Sequence, residues 1–267
     1  MSHELRDTWR GKWSLITGAS AGIGLELAKQ LAAGGSHLVL TARRIDRLQK
    51  LALELSSQYG VKVELCPADL VRPDAADQIF EFTSVKNIEI ELLVNNAGFG
   101  AFGYIHEIPA VRMTEMIHVN CSAVVELTRL YIEGMVKRGH GDVLIVASVA
   151  GFQAVPFNSV YAATKAFDLI FAEGIAEEVR PFGVRVCALC PGSTDTEFQQ
   201  VAAQPERAFR SAETAEKVAR VGLESLARGK SFVISGAKNR LMVEAERIAP
   251  RGFVVKSAAK MMRPSKT

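Results

Sequence analysis

No uninterrupted apolar stretch in this chain reaches the roughly 20 residues that cross a bilayer, so no membrane-spanning helix is expected. The opening residues, Met1-Ser2-His3-Glu4-Leu5-Arg6-Asp7, are polar and charged and lack the apolar stretch of a secretory leader. Cysteine is scarce: Cys66, Cys121, Cys187 and Cys190 make no disulfide framework, and a cytoplasmic location is expected. Cys187-Ala188-Leu189-Cys190 does match Cys-x-x-Cys. It lies, however, in a strand-like run leading to Pro191, where residues three apart point to opposite faces, so two buried thiols are expected there. The histidines, at positions 3, 37, 106, 118 and 140, have no metal-ligand spacing, and no metal site is expected. A net charge of +3 gives no support for a nucleic-acid partner. Internal repeats, low-complexity linkers and a break to a second domain are also lacking.

Against these absences stands Tyr161-Ala-Ala-Thr-Lys165, with Ser148 ahead of it. On a helix, residues at i and i+4 share a face about one turn apart. A phenol has a pKa near ~10, and a neighbouring ammonium favours its phenolate and pulls that value toward the working range. A serine hydroxyl from an adjacent strand end can hold a carbonyl or alcohol oxygen beside the phenol. Together these groups can move one proton on or off a substrate oxygen.

A partner for that chemistry is written near the N-terminus. Lys12 to Thr17 is a short apolar run that ends in Gly18-Ala19-Ser20-Ala21-Gly22-Ile23-Gly24. An apolar, helix-forming stretch, Leu25 to Ala33, then stops at Gly34-Gly35. Strand, glycine turn and helix form the context of a dinucleotide site, in which amides and the helix dipole favour a pyrophosphate. The spacing is Gly-x-x-x-Gly-x-Gly, and a turn that merely reverses the chain would use glycines too. The next strand, His37 to Thr41, runs into Ala42-Arg43-Arg44 with no carboxylate before Asp46. NAD sites place an acid here for the ribose hydroxyls; an arginine instead grips a 2′-phosphate, so NADP(H) is the expected cofactor. The alternative makes Arg43, Arg44 and Arg47 the solvated start of the next helix. Asp69-Leu70 and Asn95-Asn96-Ala97-Gly98 follow further strands and would lie over the cofactor, although Asp69 equally suits a helix cap.

Thr17 to Gly24, Asp69, Asn95-Asn96-Ala97-Gly98, Asn120, Ser148, Tyr161 with Lys165, and Pro191-Gly192 followed by Thr196 occur in order. In this the chain resembles the short-chain dehydrogenase/reductase superfamily, in its compact single-domain form, over about residues 12–235. The resemblance implies that Tyr161 is the general acid in reduction and the general base in oxidation. Lys165 would lower its pKa and hold the nicotinamide ribose, and Ser148 would bond the substrate oxygen. Asn120, interrupting a helix, would hold a water that links Lys165 to solvent. Asp69 would contact the adenine, Asn95 would support the sheet and the ribose, and Thr196 would bind the carboxamide. The implied cofactor set is Gly18, Ser20, Gly22, Ile23, Gly24, Arg43, Arg44, Asp69, Leu70, Asn95, Ala97, Gly98, Tyr161, Lys165, Pro191, Gly192, Thr194 and Thr196. A homodimer or homotetramer through the helices bearing Asn120 and Tyr161 is likewise implied.

The fold expected is α/β, a Rossmann-type doubly wound, seven-stranded parallel sheet flanked by helices, with a helical C-terminal extension. One domain covers 1–267, with a core at 12–235 and a basic extension at 237–267. Strands are expected near 12–17, 37–41, 62–66, 91–95, 141–148, 184–190 and 231–235, and a helix from Tyr161 to Arg180 closed by Pro181. From Lys238 onward eight Lys and Arg face two acids, so the tail carries +6. With Leu241, Met242, Ile248, Phe253, Val254, Val255, Met261 and Met262 it suits a helix packed on the body or on a second subunit; an interfacial helix at a membrane surface is the alternative. The tail is similar to that of a subgroup containing hydroxysteroid and long-chain 3-oxoacyl reductases.

The substrate would meet three variable segments: Phe99 to Tyr104, the stretch between Ser148 and Tyr161, and a lid at Glu197 to Ser211. The first two carry no charge, which favours a hydrophobic ketone or its secondary alcohol, with Phe99, Phe102, Phe152, Phe157 and Phe198 as candidate contacts. Phe152 and Phe157 equally suit a core. Two other functions stay open: a redox-inactive NADP-binding regulator, and a membrane-surface reductase of lipid carbonyls docked through the tail.

Overall fold

In the computed structural model, residues 8–198, 202 and 212–264 are described. The sheet strands are β1 (Trp13–Thr17), β2 (His37–Thr41), β3 (Val63–Leu65), β4 (Ile90–Asn95), β5 (Gly141–Val146) and β6 (Val184–Cys190). After the short β7 (Thr194–Asp195) and β8 (Glu213–Thr214), which pair only with each other, β9 (Phe232–Ile234) completes it. The main sheet is seven-stranded, in the order β3-β2-β1-β4-β5-β6-β9, with every pairing parallel. Its strands are near-continuous apolar runs because helices cover both faces.

The helices are α1 (Gly22–Ala33), α2 (Ile45–Tyr59), α3 (Ala75–Val85), α4 (Ala110–Ile117), α5 (Ala123–Arg138), α6 (Ser159–Val179), α7 (Ala215–Ala227), α8 (Ala237–Ile248) and α9 (Arg251–Met262). One core packs α1, α2 and α7 on the sheet through Leu27, Leu31, Leu48, Leu55 and Leu223. The other packs α3, α5 and α6 through Ile79, Leu127, Tyr131, Leu169 and Ala172. Cys187 faces the first core and Cys190 the second, so strand alternation separates the Cys-x-x-Cys thiols as expected. Burial pushes the Cys187 thiol up to about 12 and raises Cys190 as well, which keeps both protonated and inert.

The chain direction across the sheet reverses between β1 and β4, which opens a crevice at the carboxyl ends of these strands. α6 ends one residue before the expected boundary, with Arg180–Phe182 in a single 3₁₀ turn around Pro181. The C-terminal extension is helical. Val243 is the buried residue of the mostly exposed α8, and Asn239 ties the helix down by donating to Ser235 O at 2.7 Å. Most of the expected lid lies outside the described residues, Glu197, Phe198 and Ala202 excepted. Among the described residues, no helix is long and apolar enough to cross a membrane.

Candidate active site

The glycine turn after β1 is held by the turn after β4. Thr17 Oγ1 accepts from the amides of Asn96 and Ala97, both at 2.9 Å, and donates to Val94 O at 3.2 Å. Asn96 Nδ2 returns a bond of 2.8 Å to Thr17 O and one of 3.3 Å to Gly18 O. Asn96 was quoted in the sequence only as part of its motif, and its bracing role comes from this tertiary contact. Gly18 has a φ of 67°, a conformation costly for other residues. A Cβ on Gly24 would collide with Asn96 Nδ2 and lie 2.5 Å from Gly18 O. The first turn of α1 therefore presents bare backbone, and its N-terminal residue, Ala21, supplies no side-chain cap. Those amides fit a pyrophosphate without further help.

At the end of β2, Arg43 and Arg44 are exposed, and no acid follows the strand in sequence before Asp46. Arg44 donates from Nε and Nη2 to Ser20 Oγ at 3.2 and 3.1 Å, fixing its guanidinium against the glycine turn. Its Nη1 reaches Glu197 at 2.8 Å, and Arg47 reaches the other oxygen of that carboxylate at 2.6 Å. The bond from Arg44, followed by that from Arg47, keeps the Glu197 carboxyl below its usual range. Asp69 Oδ1 accepts from Val71 N at 3.2 Å, so Asp69 shapes its turn; Leu70 beside it is buried. Asn95 is buried and donates to Thr128 on α5 at 2.9 Å, while its Oδ1 has no protein partner.

Asn120 does interrupt a helix: His118–Ser122 is a π-turn between α4 and α5. Its Oδ1 accepts from Phe99 N at 3.1 Å, and its Nδ2 donates to Phe99 O and Thr164 Oγ1, both at 3.0 Å. One side chain thus joins the loop after β4 to α6. Ser148 ends the β5 segment and caps the 3₁₀ turn Val149–Phe152 by accepting from Ala150 N at 3.1 Å; its hydroxyl donates to Pro191 O at 3.4 Å.

Tyr161 and Lys165 lie on the buried face of α6, with the ammonium 6.0 Å from the phenol ring centroid. The sequence leads one to expect a phenol held below its usual pKa. Instead, burial pushes Tyr161 up, while Lys165 and then Ser148 pull it down against that burial. The difference comes chiefly from burial, with a smaller contribution in the same direction from Asp168, which the sequence reading did not single out. Its Oδ2 accepts from Lys165 Nζ at 2.9 Å and balances part of the ammonium's charge. Lys165 also donates to Val146 O at 2.7 Å.

The loop after β6 brings Gly192, Thr194 and Thr196 beside the glycine turn. A Cβ on Gly22, whose φ is 56°, would lie 3.0 Å from the Thr196 methyl. Thr194 Oγ1 donates to Gly192 O at 3.1 Å, and Phe198 N donates to Thr196 Oγ1 at 3.3 Å. The Phe198 ring lies 5.3 Å from that of Tyr161. Phe157 contacts Tyr104 at 5.1 Å and Phe102 at 6.5 Å between centroids. A cavity of about 220 Å³ lies there, lined by Tyr104, Ile105, Ile108, Met113, Phe157 and Val160, among others. Phe152 is not brought to this group, since it packs on Phe232 of β9 at 6.3 Å and on the core. The Phe99 ring is covered by the Arg112 guanidinium at 3.9 Å, a charge that the local sequence did not reveal beside the apolar loop.

Comparison with known proteins agrees with this geometry. The family model for short chain dehydrogenases matches residues 12–207. The chain is 33% identical over 230 residues to the very-long-chain 3-oxoacyl-CoA reductase of Anas platyrhynchos, covering 82% of this chain and 72% of that enzyme. It spans only 53% of the length of the like-named reductases of Pyrenophora tritici-repentis and Phaeosphaeria nodorum. A solved 7beta-hydroxysteroid dehydrogenase superposes with a TM-score of 0.85 at 28% identity, over 94% of this chain and 98% of that one. A Sphingobium yanoikuyae short-chain dehydrogenase in complex with NADPH superposes with a TM-score of 0.80 at 29% identity, over 96% and 98%. With its glycine turn, its Ser148, Tyr161 and Lys165 cluster and these matches, the chain belongs to the short-chain dehydrogenase family.

Proposed function

We propose that this protein is an NADP(H)-dependent oxidoreductase that interconverts a hydrophobic ketone and its secondary alcohol, with reduction as the favoured direction. The convergence of Ser148, Tyr161 and Lys165 at the carboxyl ends of β5 and β6, next to the glycine turn, carries this reading. When bound, NADPH would supply the hydride to the carbonyl carbon. The α1 amides would hold its pyrophosphate, Arg43 and Arg44 its 2′-phosphate, Thr194 and Thr196 the nicotinamide end, and Lys165 the neighbouring ribose. Ser148 Oγ would hold the substrate oxygen, and Tyr161 would give it the phenolic proton. Lys165 stabilises the phenolate left behind, and Asn120, locked between Phe99 and Thr164, holds the loop that faces them.

The relatives act, by their names, on 3-oxoacyl-CoA and on hydroxysteroids. Both suit a site walled by Phe102, Tyr104, Phe157 and Phe198. The exposed Phe167 and Ile170 on α6 support a homo-oligomer packed through that helix. The test is NADPH oxidation over a panel of steroid ketones, 3-oxoacyl thioesters, aryl ketones and short keto acids. Bulky apolar ketones are expected to give the highest kcat/KM. A preference for short, charged keto acids would overturn the substrate assignment, and silence across the panel despite NADPH binding would overturn the enzyme.

A further inference from the structure

Asp168 is 1% exposed and Lys165 5%, so their 2.9 Å ion pair is shut away from water beneath the phenol. The pair is not an obvious device for packing α6. A buried carboxylate is costly, and an apolar side chain of similar volume usually serves a helix–sheet contact as well or better. Nor is the carboxylate fully satisfied: Oδ2 is bonded to Lys165, while Oδ1 is buried without a partner. Its position is therefore best explained by what it does to the ammonium. The Lys165 Nζ donates to Asp168 and to the Val146 carbonyl at the end of β5.

We infer that Asp168 is a positioning residue for the proton-transfer pair, holding the Lys165 ammonium against β5 and setting, by its charge, the pH at which Tyr161 yields its proton. The inference rests on the reading of Tyr161 as the acid. A bare ammonium would stabilise the phenolate more strongly, and the paired Asp168 carboxylate offsets part of that effect. The carboxylate opposes phenolate formation, so the tyrosine stays protonated to higher pH. That is the form needed to donate to a carbonyl oxygen, which biases the site toward reduction.

Among the described residues, the other titratable groups acting on the pair are Tyr161 from α6, Cys121 from the π-turn and Cys190 from β6; Glu173 of α6 acts on Cys190, and the Ser148 hydroxyl after β5 acts on Tyr161. Burial holds the Cys121 thiol up at about 12 and raises Cys190 too, so both stay neutral and Asp168 is the carboxylate in direct contact with Lys165.

The test is the pH dependence of ketone reduction by the full-length protein and by Asp168→Asn. Activity should fall on the basic side as Tyr161 loses its proton. In Asp168→Asn that limb should move to lower pH by about one unit or more, while NADPH affinity, read by cofactor fluorescence, changes little. Asp168→Glu should bring the limb back toward its original position. The same titration can be read without turnover as the difference in tyrosinate absorbance between proteins with and without the Tyr161→Phe substitution, since three other tyrosines remain. If no ketone is reduced, the proposed function fails while the role of Asp168 is still decided. Should Asn at this site prevent folding, Asp168→Ser reads the same limb. A limb that stays in place while the rate falls equally at every pH would reduce Asp168 to a structural residue and overturn the inference.

Discussion

Arg44 bonds through two of its guanidinium nitrogens to Ser20 in the glycine turn, and through the third to Glu197. A phosphate on the ribose would take the place of the Glu197 carboxylate on this guanidinium, which offers nothing that a free hydroxyl needs. Arg44→Ala should therefore weaken NADPH binding about tenfold or more, the worth of one charge-assisted bond, and leave NADH nearly untouched. Parallel fluorescence titrations with the two cofactors check this, and equal losses for both would count against the phosphate role. The arginines were legible because the second strand ends without an acid. Glu197 was not, because its partners lie 150 and 153 residues away in the chain. Asp168 was missed for a different reason: an acid three residues after a lysine on a helix reads as an exposed ion pair, and only tertiary burial reveals it.

The strands were legible as apolar runs cut off by glycine, proline or a polar turn, and six of the seven lie within one residue of their expected limits at both ends; only β5 stops two residues short. The departures are physical. β3 pairs over only three residues at the sheet edge, and β7 and β8 are two residues each, too short for any period to show. Phe157 is the departure with a functional consequence. It sits at a φ of 66°, where a bulky side chain costs about 1–2 kcal/mol. Its carbonyl accepts from Gly103 N at 2.9 Å, and its ring packs on Tyr104, which holds the strained turn in place beside the cavity. Phe157→Gly should relieve that strain and so lower Tm less than an ordinary aromatic truncation, while KM for a bulky ketone rises several-fold and kcat is kept. Thermal denaturation and steady-state kinetics on one preparation would show this; a large loss of Tm with unchanged KM would place Phe157 in the core instead.

At the scale of the whole molecule, the topology follows from the alternation of strands and helices, and the crevice from the reversal between β1 and β4. The motifs after β1, β4, β5 and β6 converge there although they are scattered through the sequence, which is why the chemistry was readable before the pocket was. The pocket depends on side chains from distant segments, such as Met113 and Val160, and no single stretch announces them. The basic tail closes one side: α8 lies against the 3₁₀ turn that Ser148 caps, and a Cβ on Gly192 would strike Asn239. Leu241, Ile248, Phe253 and Met261 remain exposed on the tail beside its basic residues. The central claim, that this crevice reduces a ketone with a proton from Tyr161, is tested most directly by kcat/KM for NADPH-dependent reduction by Tyr161→Phe. NADPH affinity is measured on the same sample. The account predicts a fall of about 10²–10⁴-fold or more with cofactor binding intact; a variant that binds NADPH and keeps most of its turnover would contradict it.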